Sequence, residues 1–84
     1  MKWTVRWVPS AENKLAALYW YAPDRKVITE AADRIDMLLE SDPENQGVPF
    51  HNRRMLYVPP LIVTYVVYRS AKLVEVLQVE RISQ

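Results

Sequence analysis

The last third of the chain concentrates the groups that phosphate chemistry uses: His51, Arg53, Arg54, Arg69, Lys72 and Arg81. A histidine beside two guanidiniums can serve as a general base while the cations hold charge developing on phosphorus. The same residues have a plainer reading. His51 then sits solvated in a loop ahead of a strand, and the basic side chains contact water or a partner's carboxylates. Arg53 and Arg54 are consecutive, so in a strand they point to opposite faces. Other chemistries lack their residues. With no cysteine and one histidine, disulfides, thiolate metal sites and histidine metal clusters are excluded, and neither metal nor cofactor is expected. Asp33 and Asp36, three apart on a predicted helix, read as a solvated face.

Charge is distributed unevenly. Residues 1–50 hold six Lys/Arg against eight Asp/Glu, whereas residues 51–84 hold five against two. That asymmetry fits a modest phosphate-facing surface. With a pI near 8.0 it falls short of the value above about 9 that marks dedicated nucleic-acid binders. Eighty-four residues, half of them apolar, make one soluble domain that must be held by apolar packing. The apolar run from Leu56 to Tyr68 is broken by Pro59, Pro60 and Thr64 and is too short for the ~20 residues that span a bilayer. The N-terminus lacks a hydrophobic signal core. A cytoplasmic protein without a membrane partner is expected.

The elements that position these groups follow from periodicity. Trp3, Val5 and Trp7 alternate with polar residues, the period of a half-buried strand. Pro9 stops it, and Ser10 is a suitable cap for a first helix carrying Leu15, Leu18 and Tyr19, ended by Pro23. Asp24 can cap a second helix whose inner stripe reads Ile28, Ala31, Ala32, Ile35, Leu38 and Leu39. That helix stops before Asp42-Pro43, and a loop runs through Gly47 to Pro49. Three strands follow, Arg53 to Val58, Leu61 to Arg69 and Leu73 to Val79, rich in β-branched and aromatic residues. The order β-α-α-β-β-β predicts an α+β domain, a helical hairpin on one face of a small, mainly antiparallel four-stranded sheet. Trp3, Trp7, Tyr65 and some of Tyr57 and Tyr68 read as core, and one ring of Trp20 and Tyr21 as an exposed contact.

Over nearly its whole length the chain resembles the RelE/ParE superfamily of type II toxins. The resemblance rests on the opening strand with Pro9-Ser10-Ala11 and Leu15, on Trp20, and on Leu38-Leu39-Glu40-Ser41-Asp42-Pro43. It continues through Arg54-Met55-Leu56 and the strand pair Pro60 to Tyr68 and Leu73 to Val79. It implies a single toxin domain, growth inhibition, plasmid stabilisation and a cognate antitoxin. The target implied is DNA gyrase or the ribosome with its mRNA, and the assembly a homodimer or a toxin–antitoxin hetero-oligomer.

Members of that superfamily that cleave mRNA place basic residues on the sheet and near the C-terminus. Matched by position, Arg53 and Arg81 take catalytic places; Arg54, Arg69 and His51, read from their own charge and place in the chain, are taken as binding residues. Met55 and Ile62 stand where further cations belong, and Ile82-Ser83-Gln84 offers no terminal tyrosine. The depleted set favours a toxin that blocks a target of the gyrase type. The alternatives are a metal-independent endoribonuclease and an interaction module that has lost toxicity. The last strand is expected to leave a sheet edge uncovered. There an acidic antitoxin segment would meet Arg53, Arg54 and Arg81 beside an apolar groove.

Overall fold

Alternation, helical stripes and proline punctuation produce the elements they predict, in a computed structural model that describes residues 2–82. The order is β1 (Thr4–Trp7), α1 (Pro9–Trp20), α2 (Arg25–Ser41), β2 (Val48–Phe50), β3 (Arg53–Val58), β4 (Leu61–Tyr68) and β5 (Leu73–Arg81). Both helices pack on one sheet ordered β1-β5-β4-β3-β2, in which only β1 and β5 run parallel. The sheet has five strands rather than four. The extra strand, Val48-Pro49-Phe50, is exposed throughout, so no burial alternation marks it in the sequence.

Asp24 caps α2 as expected, accepting from the Lys26 amide at 3.1 Å. Ser10 does not cap α1. The helix starts two residues earlier, with Pro9 at a position where a missing N–H costs nothing, and Val8 is the capping residue without a side-chain bond.

Ile28, Ile35 and Leu39 of α2 are buried against Leu56, Leu61, Val63, Tyr65, Val74, Val76 and Val79. Leu15, Leu18, Leu38 and Val67 are only partly buried. A strict two-residue period would turn Val79 away from a core that holds Val74 and Val76. A register shift between Thr64 and Tyr65 corrects this: Thr64 pairs with Gln78 and Tyr65 with Val76, which leaves Leu77 as the extra residue.

β5 is not the open edge expected of it. β1 flanks residues 73–76, and α1 lies beside the remainder, where Lys14 Nζ reaches Glu80 Oε1 at 3.2 Å. The true edges are β1 and β2.

The loop between α2 and β2 is fastened from the core. The Tyr65 hydroxyl lies 2.8 Å from both the Pro43 and Gln46 carbonyl oxygens, Arg54 Nε donates to Gln46 O at 2.8 Å, and Arg54 Nη2 donates to Gly47 O at 3.3 Å. Gly47 has φ +64°, and a Cβ there would lie 2.1 Å from the Met55 carbonyl oxygen. Gly47→Ala is therefore expected to cost about 1–3 kcal/mol through backbone strain alone, with the clash added. Chemical denaturation checks this, and an unchanged midpoint would contradict the packing described.

Candidate functional site

Residues directly opposite one another in a ladder share a face. Arg54 opposes the core residue Tyr65 and so lies on the helix side, and Arg53, opposite Phe50, lies on the open face. Arg81 opposes Leu61, another core residue, and lies on the helix side. Arg53 and Arg81 thus occupy opposite faces and are separated by roughly 15 Å along the strands. The structure does not bring them together.

It does gather Arg53, Arg54 and Arg69. With Asn52, Glu44, Tyr65 and Val67 they line a depression of about 230 Å³. Arg69 is engaged there by Glu44, with Nε and Nη2 at 2.6 and 2.5 Å from Oε2. His51 lies at the adjoining β2–β3 hairpin turn, with φ 57° and its ring edge-on to Phe50 at 4.6 Å. A two-residue hairpin turn needs such a left-handed residue. The neighbouring polar asparagine was the available signal.

The open face is more apolar than cationic. Val48, Phe50, Met55, Ile62, Val66 and Tyr68 lie there, with Val48 62% and Phe50 48% exposed. One of its carboxylates, Glu75, is paired with Arg6 and accepts from the Tyr68 hydroxyl. That hydrogen bond, followed by desolvation and the Glu75 charge, pushes the Tyr68 phenol above its ordinary range, opposed by Arg53.

A second concavity, about 440 Å³, lies between α1 and α2. Its wall includes Tyr19 and Trp20, and Trp7 lines it with Nε1 donating to Asp36 Oδ1 at 2.7 Å. Both Trp20 (63%) and Tyr21 (88%) are exposed, where one ring was expected.

Comparison with protein-family models and with curated proteins finds no match to the sequence. Solved structures do match. A chain of the toxin–antitoxin complex RelBE2 from Mycobacterium tuberculosis is similar with a TM-score of 0.82 at 16% identity, over 96% of this chain and 99% of that one. A chain of the chromosomal ParDE toxin–antitoxin system from P. aeruginosa gives 0.76 at 16% identity, over 96% and 97%. The isolated E. coli RelE toxin gives 0.66 at 14% identity, over 98% and 86%. The chain has the RelE/ParE toxin fold.

Within the RelE/ParE fold, this chain differs from a plain reading of its sequence most clearly at Asp36. That residue is not on a solvated face. Burial raises its carboxyl above the ordinary range, the Trp7 hydrogen bond opposes this, and Glu40 and Asp33 add to the rise. The contact joins β1 to α2 across 29 residues, and no local pattern announces it. A raised carboxyl binds its proton more tightly when folded, so its contribution is fully present below the unfolded value near 3.8 and is lost as pH rises through the folded value. Asp36→Asn retains an acceptor for Trp7 without the charge. The variant is expected to be at least as stable as wild type at neutral pH, with the difference vanishing in acid. Melting curves at both pH values test this; a clear neutral-pH loss would contradict it.

No helix among the described residues is long and apolar enough to cross a membrane.

Proposed function

We propose that the chain is the toxin of a type II toxin–antitoxin pair, restrained by a cognate antitoxin, and that it inhibits growth by occupying a macromolecular target. A gyrase-type target is favoured, with a cytoplasmic site of action and plasmid stabilisation as its consequence. The observation that carries this reading is the open sheet face of a RelE/ParE fold, furnished with Phe50, Met55, Ile62, Val66 and Tyr68. Aromatic residues and methionine are enriched at protein interfaces. Phosphoryl chemistry needs converging cations instead, and Arg53 and Arg81 stand on opposite faces. Arg53, at the rim of the apolar patch, serves as a contact to the target, and Arg69 and His51 flank it. Arg54 holds the loop that shapes this rim.

Induced expression in a bacterial host tests the proposal. Wild type is expected to arrest growth, and Phe50→Glu/Val66→Glu to relieve the arrest while remaining folded. Unimpeded growth with soluble, folded wild type would instead favour an interaction module without toxicity.

A further inference from the structure

We propose that the depression lined by Asn52, Arg54 and Arg69 binds a dianionic phosphoryl group, carried by inorganic phosphate or a small phosphate monoester, and that Glu44 is the internal anion this ligand displaces. The site is separate from the open sheet face and stands whether or not the chain is a toxin. Arg54 opposes Tyr65 in the ladder and Val67 opposes the core residue Val74, so the depression lies on the helix side of the sheet. Met55 and Ile62 are on the other face, and Arg81 is at the opposite end of β4.

Charge sets the class of ligand. Arg53, Arg54 and Arg69 line the depression, and Glu44 is the one acidic residue among those lining it. The excess of two positive charges matches one phosphate dianion. Arg54 is a fixed cation, its Nε and Nη2 bonded to the Gln46 and Gly47 carbonyls. Arg69 is the movable donor. Its side chain is 82% exposed, and its Nε and Nη2 both converge on Oε2 of Glu44. An exposed ion pair of this kind contributes little in water. A phosphoryl group presents two oxygens to the same guanidinium edge, a bidentate pairing with twice the ligand charge. A phosphodiester carries one negative charge and has no such advantage over Glu44. Asn52 adds an amide donor. Losing the Glu44 contact does not free the loop, because Tyr65 and Arg54 still hold the Pro43, Gln46 and Gly47 carbonyls. The volume of about 230 Å³ is below the roughly 300 Å³ at which small-molecule pockets begin, so it takes the phosphoryl head and leaves the attached group outside.

Titration of the whole protein at constant ionic strength, followed by NMR of the amide and arginine Nε–H groups, tests this. The probes are inorganic phosphate, a nucleoside 5′-monophosphate and chloride. Saturable shifts at Glu44, Asn52 and Arg69 are expected with phosphate, with a dissociation constant of about 1 mM or below, and none with chloride. Glu44→Gln is expected to tighten phosphate binding about two- to fivefold, the scale of the exposed ion pair it removes. Arg69→Ala should weaken it at least about tenfold through loss of the charge-assisted pair. Its melting temperature should not change, because the side chain is exposed. Tighter binding of inorganic phosphate than of the nucleotide identifies the free anion as the ligand, the reverse order identifies a nucleotide, and either supports the site. Shifts that chloride reproduces, an affinity unmoved by Arg69→Ala, or one weakened by Glu44→Gln would overturn the proposal. So would tighter binding of an oligoribonucleotide lacking a terminal phosphate, which marks an extended nucleic-acid surface instead.

Discussion

Leu39→Ala is expected to destabilise the fold by about 2–5 kcal/mol, the range for emptying a fully buried leucine site. Leu39 has no exposed surface and lies in the same core as Ile35, Val63 and Tyr65. The neighbouring position supplies the control. Leu38 is only partly buried, so Leu38→Ala should cost clearly less, in proportion to the smaller apolar area lost. A domain of this size holds roughly 5–15 kcal/mol in total, and each kcal/mol moves its melting temperature by about 4–8 °C. The Leu39 variant should therefore melt at least about 8 °C below wild type. Comparable losses at the two positions would show that α2 is rotated relative to the packing described here.

Messenger RNA is expected to stay intact when the chain is induced. Removing one preorganised contact to a developing oxyanion costs about 10²–10³ in rate. Two positions where the resemblance to mRNA-cleaving toxins would place cations, Met55 and Ile62, are apolar here, and both lie on the open face. Arg81 does not replace them, because it opposes Leu61 on the other face. Arg54 does not either, since its guanidinium is bonded to the Gln46 and Gly47 carbonyls. Primer extension on translated messages reads this directly. Codon-phased cuts that disappear in Arg81→Ala would establish the endoribonuclease reading instead.

The layout of the fold was legible because its signals are local. The α2 stripe, the Asp24 cap, the proline stops and the β-branched runs each act within one element, and each appears where expected. What escaped depends on contacts between elements. β2 carries no burial pattern, and the shift at Thr64 and Tyr65 is set by the ladder with β5. Trp7 meets Asp36 only once β1 and α2 are packed. The same limit applies to the candidate site. That Arg53 and Arg54 part company follows from strand geometry, but which of them faces the helices depends on the pairing with Tyr65. The separation of Arg53 from Arg81 requires the register of three strands. The concavity between the helices combines β1, α1 and α2, and so has no signature in any one segment.

Gyrase-catalysed supercoiling of relaxed plasmid, measured against increasing purified chain, tests the central claim most directly. Wild type is expected to inhibit supercoiling in a dose-dependent way, and Phe50→Glu/Val66→Glu, altered only on the open sheet face, to leave it unaffected. Full supercoiling in a large molar excess of folded wild type would contradict the account.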